Sequence, residues 1–461
     1  MVGFGSRLTT MNPASFRRSS TAIALASSSA GFWAGAAFGS GFALVEQSAS
    51  GMGNGFAGAG VAAEDASTVY WNPAGMSKLP AGKQFVGAVH YFVPSIRFSD
   101  RGSAAGINRT DFGNTGGDAG RAGFVPSGYF TMDLSPTMKF GFGINVPFGS
   151  RTEYDPSWLG RFQGIKSEIE TLNVNPSIAW KASDTMALGF GVNYQTGKVS
   201  LLTGVNYKGL VAGTALDPAV AVDAEGQNQI DIEGDAWGYN FGALFDLDPD
   251  TRLGVAYRSS LKYTLSGTTR FSNVPGAFAA SPALAAGTAD GNANLSVRTP
   301  DSLSISLAHQ ASRHWTVLAD TTWTGWSKIQ SLPLVRDTGE TVSTFIFNFR
   351  NTMRYSVGAN YQMNEAWTLK MGLALDRSPV PGAEARSVRL PDNDRTSFSF
   401  GAKYRPSAAG TVDFGYMYVK VKDAPINNIQ NNPAAGEVNG NVIGSYKSAA
   451  HVVGVQYMHA F

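Results

Sequence analysis

Hydrophobic and polar residues alternate over most of the chain from residue 85 to the last residue, and a period of two is typical of β-strands. In residues 237–245, aromatic side chains and Ala occupy every second position, while Gly and Asn fill most positions between them. Residues 315–323 and 413–418 follow the same rule, with Leu318 as an exception. The pattern therefore predicts a protein built from antiparallel strands.

Short turns divide this region at intervals of roughly 45 to 65 residues, which is enough chain for one strand, a loop and a returning strand. The six turns lie at residues 135–137, 183–184, 248–250, 312–313, 364–365 and 407–410. Six turns and the two chain ends define seven hairpins. The sequence therefore predicts fourteen strands, with short turns on one side and long loops on the other.

The last predicted strand, residues 451–461, distinguishes between two kinds of β-protein. It places His451, Val453 and Tyr457 on one face and ends on Phe461. Aromatic residues also gather near the ends of other strands, as in the aromatic belts of outer-membrane barrels. A soluble β-sandwich is the alternative, but it predicts alternation without these signals. We therefore predict an all-β fold, a 14-stranded antiparallel transmembrane β-barrel.

The N-terminus has the layout of a secretion signal. Two arginines precede an apolar run of small residues at 21–38, and the small-x-small pattern before Ser40 fits a cleavage site. A start at Met11, a cut after residues 34–36 and an uncleaved membrane anchor are the open alternatives. We predict a signal peptide at residues 1–39 and an exported protein.

Residues 41–75 follow neither a strand nor a helix pattern, because they are rich in Gly and Ala and do not alternate. Since the rest of the exported chain is predicted to form the barrel, we expect this stretch to fold as a hatch, or plug, inside the lumen. The predicted domains are the signal peptide at 1–39, the hatch at 40–82 and the barrel at 83–461.

Composition limits the chemistry of the protein. Charged residues make up 15% of the chain and the net charge is +2, which provides no basic field for binding nucleic acid. The chain has no cysteine, which excludes disulfides, thiolate catalysis and Cys-ligated metals. The five histidines lack the spacing of a metal site, and no G-x-S-x-G motif is present.

Residues 53–58 read G-x-G-x-x-G, but no strand precedes them and no βαβ unit follows, so a dinucleotide site is rejected. We predict a protein that is not an enzyme and has no catalytic residue, metal or cofactor. Two alternatives stay open: a lipid-modifying enzyme whose Ser and His come from different strands, and a polar porin.

Two long loops and one proline suggest a route for an apolar ligand. The loops at residues 208–226 and 271–291 are rich in Ala, so they predict either an apolar groove on the outer rim or two loops that pack on each other. Pro147, which is followed by Phe148 and Gly149, either interrupts the third strand or ends it, since proline cannot donate to a ladder.

Several motifs together resemble the long-chain fatty acid transporter family of outer-membrane proteins, which includes aromatic-hydrocarbon uptake channels. They lie at residues 41–44, 47–60, 253–267, 324–327, 376–381 and 390–395, and at Asn72, Pro73 and Ala74. The resemblance covers nearly the whole predicted mature chain. It implies a fourteen-stranded barrel with an N-terminal hatch, in the outer membrane of a Gram-negative bacterium, and facilitated uptake of hydrophobic molecules, most of all long-chain fatty acids.

The resemblance also implies roles for individual residues. The ligand would land in a groove between the apolar loops and then enter a tighter pocket against the hatch, where Phe42 and Leu44 are candidate contacts. A rearrangement of the hatch would let the ligand leave sideways, through a wall opening where the third strand bends near the Asn-Pro-Ala segment. The candidate gating residues are Asn72, Pro73, Ala74, Pro147, Phe148 and Gly149.

Basic residues near the tight pocket depart from the family pattern. Thr196 and Pro333 stand where the family's fatty-acid carriers have cations, and Lys198, Lys328 and Arg336 are the nearby substitutes. A buried carboxylate without a cation is costly, so the ligand is either a fatty acid held differently or a neutral hydrocarbon. The other expected partners are outer-membrane lipids, lipopolysaccharide and the barrel-assembly machinery, and the expected state is a monomer.

Overall fold

The computed structural model of the protein describes residues 40–428 and 438–461. The predicted signal peptide at residues 1–39 lies outside this part of the chain. The strands are β1 (Lys83–Asp100), β2 (Gly123–Ser135), β3 (Met138–Asn145), β4 (Gly149–Glu153), β5 (Lys166–Lys181), β6 (Met186–Asn206), β7 (Glu225–Asp246), β8 (Thr251–Arg258), β9 (Lys262–Phe271), β10 (Gly291–Arg298), β11 (Ser302–Gln310), β12 (Trp315–Thr324), β13 (Ser331–Val335), β14 (Thr341–Ile346), β15 (Thr352–Gln362), β16 (Trp367–Asp376), β17 (Arg395–Tyr404), β18 (Gly410–Val421), β19 (Ala424–Asn428) and β20 (Val442–Ala460).

Short helices lie before and between the strands. The α-helices are α1 (Ala49–Met52), α2 (Thr68–Trp71), α3 (Tyr207–Leu210) and α4 (Pro282–Gly287), and 3₁₀ helices occupy Pro73–Lys78, Asp217–Ala219, Gly276–Ala280 and Trp326–Lys328. Within the described ranges, no helix is both long and apolar enough to cross a membrane.

The strands join into one closed barrel with fourteen wall strands. Eight wall strands are single segments, and the other six each consist of two successive segments: β3/β4, β8/β9, β10/β11, β12/β13, β14/β15 and β18/β19. Neighbouring wall strands pair antiparallel, and β1 pairs with both β2 and β20, which closes the circle. The predicted fold class, a fourteen-stranded antiparallel barrel, is confirmed.

The six predicted short turns all join wall strands at one end of the barrel. They connect β2 to β3, β5 to β6, β7 to β8, β11 to β12, β15 to β16 and β17 to β18. The long loops therefore lie at the opposite end, because successive wall strands alternate in direction. Aromatic pairs mark the short-turn end: ring centroids are 4.8 Å apart in Trp315–Tyr361 and 4.6 Å apart in Trp367–Tyr404.

Side chains of the wall alternate between outward and lumen-facing positions, as β16 illustrates. Leu369, Met371, Leu373 and Leu375 are exposed on the outer face. Lys370, between two of them, is only 4% exposed and points into the barrel. A barrel in a lipid bilayer requires this arrangement, with apolar groups on the outside and paired polar groups on the inside.

Most residues of the segment 40–79, which precedes β1, are buried inside the barrel, whereas Pro80 and Ala81 are exposed. The helices α1, α2 and Pro73–Lys78 of this segment contact wall strands on several sides of the lumen, from β3, β5, β6 and β7 to β17, β18 and β20. Glycines on the lumen face of the wall make room for this segment. A Cβ added at any of the following glycines would collide with it: Gly141, Gly189, Gly254, Gly372 and Gly401.

Buried polar contacts join the middle of this interior segment to the wall. Glu64 pairs with Lys370 of β16, with Oε2 and Nζ 2.6 Å apart, and also with Lys403 of β17. The Gln456 side chain of β20 donates to Asp65 at 2.7 Å. These contacts fix the segment to one side of the barrel.

The two apolar loops at the long-loop end pack on each other. Tyr207, Val211 and Val220 of the first loop are buried against Phe278 of the second, and the rings of Tyr207 and Phe278 are 5.5 Å apart. Of the two arrangements predicted for these loops, the structure shows the packed one. A cavity lies beneath them.

Candidate functional site

The wall is interrupted between β2 and the third wall strand. β3 pairs with β2 from residue 128 to residue 135, whereas β4 has β5 as its strand partner in the described part of the chain. Residues 145–150 are all buried, so the chain abandons the alternating pattern and bends into the lumen. Pro147 therefore interrupts the third wall strand rather than ending it. We call the break between residues 146–153 of the third wall strand and residues 123–127 of β2 the wall gap.

Residues 40–47, which we call the N-terminal limb, satisfy the backbone of this bend. The amide of Leu44 donates to the carbonyl of Pro147 at 2.9 Å, and the amide of Gly149 donates to the carbonyl of Phe42 at 2.9 Å. These two bonds replace ladder bonds that the bend gives up, because buried backbone groups need partners.

Gln47 joins the two edges of the wall gap. Its Nε2 donates to the carbonyl of Val146 on one edge at 2.8 Å. Its own carbonyl accepts from Ser127 Oγ at 3.0 Å and from Tyr129 OH at 2.9 Å on the other edge, β2. The wall gap is thus bridged from inside the barrel by one residue of the limb.

The start of the limb is fixed across the lumen. The amide of Ser40 donates to Asp376 Oδ2 at 2.9 Å, and the amide of Gly41 donates to Asp392 Oδ2 at 2.9 Å. Gly41 has a φ of 63°, and an added Cβ would lie 2.8 Å from the ring of Trp326. Glycine is therefore the residue that this position accepts.

An apolar cavity lies on the long-loop side of the limb. Phe42 of the limb and Phe148 of the bend line one end of it, with ring centroids 5.6 Å apart. Trp326 packs against Phe42 at 4.8 Å, and all three belong to the main buried hydrophobic cluster. Aliphatic side chains form most of the remaining lining: Ile169, Val199, Leu201, Leu265, Leu295, Val297, Ile329 and Leu332. Such a lining suits a hydrocarbon chain.

A second cavity, the deep cavity, lies on the other side of the limb, nearer the short turns. Ala43, Leu44 and Phe148 line it, together with Tyr70 and Trp71. It also contains charged side chains of both signs: Arg258, Arg354, Asp320 and Asp376. The limb and the bend therefore separate an apolar compartment from a charged one.

A third cavity, the rim cavity, lies under the two packed loops. Leu210 and Leu284 of the loops line it, together with Phe345 and Arg389. Phe345, Phe347 and Arg389 also line the apolar cavity. The rim cavity and the apolar cavity therefore meet at these three residues.

Lys198, one of the three predicted carboxylate-binding cations, borders the apolar cavity but turns its amine away from it. Its neighbour Val199 lines the cavity, so the alternation of β6 sends the Lys198 side chain to the opposite face. There it is 67% exposed and pairs with Glu233 at 3.3 Å.

The other two predicted cations, Lys328 and Arg336, lie outside the lining of all three cavities. Lys328 pairs with Asp301 at 2.5 Å. Arg336 pairs with Glu340 at 3.7 Å and donates to the carbonyl of Ala289 in a facing loop. The structure therefore does not bring the three predicted cations together, and their part in binding stays a prediction.

The Asn-Pro-Ala segment lies nearer the short turns than the wall gap does. Asn72 caps the helix Pro73–Lys78, with its Oδ1 accepting from the amide of Ala74 at 3.1 Å, and its Nδ2 donates to the carbonyl of Gly60 at 2.7 Å. The missing side chain of Gly242 on β7 leaves the space that Asn72 occupies. The helix Pro73–Lys78 also contacts β3, whereas the limb contacts the bend itself, so the gating role of Asn72, Pro73 and Ala74 stays a prediction.

The structure brings the remaining predicted site residues into one place, the contact between limb and bend: Phe42, Leu44, Pro147, Phe148 and Gly149. Sequence reasoning missed Gln47, Trp326 and Arg389. Their one available signal was position, because each stands inside or directly beside a motif of the resemblance. No periodicity in the sequence predicts whether the side chains of these three residues face the lumen.

Comparison with known proteins agrees with this architecture. Residues 30–461 match the sequence profile of the family described as "Outer membrane protein transport protein (OMPP1/FadL/TodX)". The chain is 30% identical over 424 residues to the long-chain fatty acid transport protein of Salmonella typhi, and the alignment covers 89% of this chain and 93% of that relative.

Two solved structures share the fold. The crystal structure of a Pseudomonas aeruginosa FadL homologue superposes with a TM-score of 0.84 at 25% identity, covering 93% of this chain and 100% of that one. The Pseudomonas putida toluene transporter TodX superposes with a TM-score of 0.65 at 16% identity, covering 91% and 99%. The second likeness concerns the fold alone.

Proposed function

Because the chain belongs to the OMPP1/FadL/TodX family of outer membrane transport proteins, we propose that it takes up hydrophobic molecules, and long-chain fatty acids above all. The protein is an outer-membrane β-barrel of a Gram-negative bacterium. In this proposal, the interior segment at residues 40–82 is the hatch, and transport needs no enzymatic step, metal or cofactor.

The rim cavity and the apolar cavity supply the proposed route. The ligand lands in the rim cavity beneath the packed loops and moves into the apolar cavity, where Phe42 and Phe148 contact its far end. The limb then leaves the bend, and the ligand passes through the wall gap into the membrane. An apolar molecule that exits sideways enters lipid without crossing water.

One observation supports this route most strongly: the wall gap is bridged by the limb and not by a neighbouring strand. Release of Gln47 would free both edges of the gap at once, since this residue contacts Val146 on one side and Ser127 and Tyr129 on the other. The same movement would break the backbone hydrogen bonds between Leu44 and Pro147 and between Gly149 and Phe42. Asn72, Pro73 and Ala74 have the supporting role of holding the base of the hatch against the wall.

Energetics require such a movement. Burial of ~15 methylenes at ~0.8 kcal/mol each is worth up to about 12 kcal/mol, and a site this favourable releases its ligand slowly. Because Phe42 belongs to the limb, displacement of the limb weakens the apolar site and opens the wall gap together.

The second candidate ligand is a neutral aromatic or aliphatic hydrocarbon, which the aliphatic lining of the apolar cavity also suits. The same route would serve it. Further proposed partners are outer-membrane lipids and lipopolysaccharide around the exposed apolar belt, and the barrel-assembly machinery acting on the last strand and Phe461. The proposed transporter is a monomer, because one barrel contains the whole route.

The absence of native cysteine allows a direct test. Ala43 and Phe148 face each other as antiparallel bridge partners, a spacing that a disulfide spans. Oxidation of an A43C/F148C variant should reduce the uptake of labelled oleate to the level of cells without the protein, and reduction should restore it. The single variant F148C under the same oxidation is the control. Uptake that persists after complete cross-linking would contradict the gating role of the limb.

A further inference from the structure

Arg389 belongs to the loop between β16 and β17. Its positively charged guanidinium lies at the border between the rim cavity and the apolar cavity. Its guanidinium is fixed by neutral oxygen atoms. Nη1 donates to the carbonyl of Lys166 at 3.1 Å and to Ser167 Oγ at 2.8 Å, and Nη2 donates to Thr203 Oγ1. The ring of Phe345 lies 5.7 Å from the guanidinium carbon. The side chain is therefore held in place on the cavity lining.

The charge of Arg389 has no opposite charge beside it. Among residues 40–428 and 438–461, no carboxylate lies within ion-pair distance of this guanidinium, whereas nearby Arg395 pairs with Asp392 at 2.8 Å. Burial lowers the pKa of Arg389 to about 10, so the side chain stays protonated at neutral pH. An uncompensated cation in an apolar surrounding is costly, and its natural complement is an anion.

Donor counting indicates where an anion would bind. An arginine has five N–H donors, and the three bonds to Lys166, Ser167 and Thr203 leave one donor on Nε and one on Nη2 without a partner in the described structure. These two nitrogens form one edge of the planar guanidinium, and such an edge binds the two oxygens of a carboxylate.

We propose that Arg389 anchors the carboxylate of a long-chain fatty acid whose hydrocarbon chain fills the apolar cavity. The carboxylate then lies at the entrance from the rim cavity, and the chain runs past Leu201 and Leu265 toward Phe42 and Phe148. This inference rests on the proposed function and deepens it, because it selects the fatty acid over the neutral hydrocarbon.

The other cations near the cavities are poorer anchors. Arg258 and Arg354 line the deep cavity, where Arg354 already interacts electrostatically with the buried carboxylates of Asp320 and Asp376. Carboxylates also line the cavities beside Arg389, Glu384 in the rim cavity and Glu170 in the apolar cavity, but among the described residues neither forms an ion pair with Arg389. The amines and guanidinium of the three cations predicted from sequence already have carboxylate partners. Arg389 combines a free edge with a place on the apolar lining.

The test compares two ligands of equal chain length, oleate and its uncharged methyl ester, on purified full-length protein by equilibrium binding. The wild type should bind oleate more tightly. Arg389→Met should weaken oleate binding by about 10- to 100-fold, since a hydrogen-bonded charge pair is lost, and leave methyl oleate unchanged. Arg377→Met is the matched control: this cation of the same loop is 63% exposed and pairs with Asp394, so both ligands should bind as before.

Retained binding of methyl oleate shows that a variant is folded. Arg389→Lys, which keeps the charge but loses the two-donor edge, should lose less oleate affinity than Arg389→Met. Unchanged oleate binding by Arg389→Met, or an equal loss of both ligands in both Arg389 variants, would overturn the proposal. A wild type that binds both ligands equally would also overturn it and leave the proposed function intact, whereas a wild type that binds neither would contradict the proposed function.

Discussion

The limb, residues 40–47, and the helical part of the interior segment, residues 48–78, are attached to the barrel in different ways. Buried ion pairs and close contacts with wall glycines hold the helical part. The limb is held by hydrogen bonds to the bend, by the amide bonds of Ser40 and Gly41 to Asp376 and Asp392, and by the ring contacts of Phe42. A buried ion pair is costly to break, whereas single hydrogen bonds exchange at a smaller cost. We infer that the helical part stays in place while the limb moves.

Two buried glutamates show the same contrast. Burial alone would raise the pKa of Glu64, but pairing with Lys370 and Lys403 holds it well below its usual range. Glu46 lies in the limb, and neither of its carboxylate oxygens has a hydrogen-bond partner in the described structure. Burial raises the pKa of Glu46 to about 7, against smaller opposing effects of nearby backbone amides, Arg354 and Arg395. The fixed part thus contains a satisfied carboxylate and the limb an unsatisfied one.

The largest expected effect comes from breaking the anchor of the helical part with Lys370→Met. This change leaves Glu64 and Asp413 buried with one cation fewer, and should lower the free energy of unfolding by about 3–5 kcal/mol. Urea unfolding in lipid vesicles, followed by tryptophan fluorescence, measures it. Arg377→Met removes an exposed ion pair and should change stability little. A Lys370→Met barrel as stable as the wild type would refute the distinction between the two parts.

The second prediction concerns pH. A docked limb that raises the pKa of Glu46 from 4.5 to about 7 binds the proton more tightly than a free limb. Docking is therefore strongest at pH below the free value and weakens as pH rises through the docked value, by at most about 3 kcal/mol. Oleate uptake should rise between about pH 5 and pH 8 in the wild type and stay flat in Glu46→Gln. Glu64→Gln should keep the wild-type slope, because Glu64 is ionised throughout this range. An identical slope in Glu46→Gln would contradict the assignment.

Gln47 of the limb and Gln456 of β20 each hold one of the two parts by side-chain hydrogen bonds. Gln47→Ala removes the bond to Val146 at the wall gap, so uptake should become faster while the free energy of unfolding changes by about 1 kcal/mol. Gln456→Ala removes the bonds to Asp65 and Ala49 in the helical part, so stability should fall by about 1–3 kcal/mol while uptake per folded molecule stays constant. The reverse pairing of effects would show that the helical part is the gate.

The sequence was sufficient for the barrel because its signals are local. Alternation has a period of two, and each short turn has a characteristic composition, so strand number and direction follow from residues close together in the chain. The same alternation predicts that the Lys198 side chain points outward, because its neighbours Val199 and Leu201 point into the cavity and Lys198 lies on the other face of β6.

The candidate site was harder to predict because its contacts are long-range. Gln47 meets Val146 and Ser127 only after the barrel closes around the limb. Asn72 packs against β7 because Gly242 leaves space for its side chain there. No pattern in the sequence links residue 72 to residue 242. Arg389 lies in an irregular loop, where no periodicity indicates which side chains enter the lumen.

The most direct measurement is amide hydrogen exchange of the protein in lipid vesicles, with and without oleate. If oleate displaces the limb, peptides covering residues 40–47 and 146–149 should exchange faster with oleate, because the bonds between Leu44 and Pro147 and between Gly149 and Phe42 are broken. Peptides covering residues 48–78 should exchange at the same rate in both conditions. Faster exchange of residues 48–78, or unchanged exchange of the limb in protein saturated with oleate, would contradict the account.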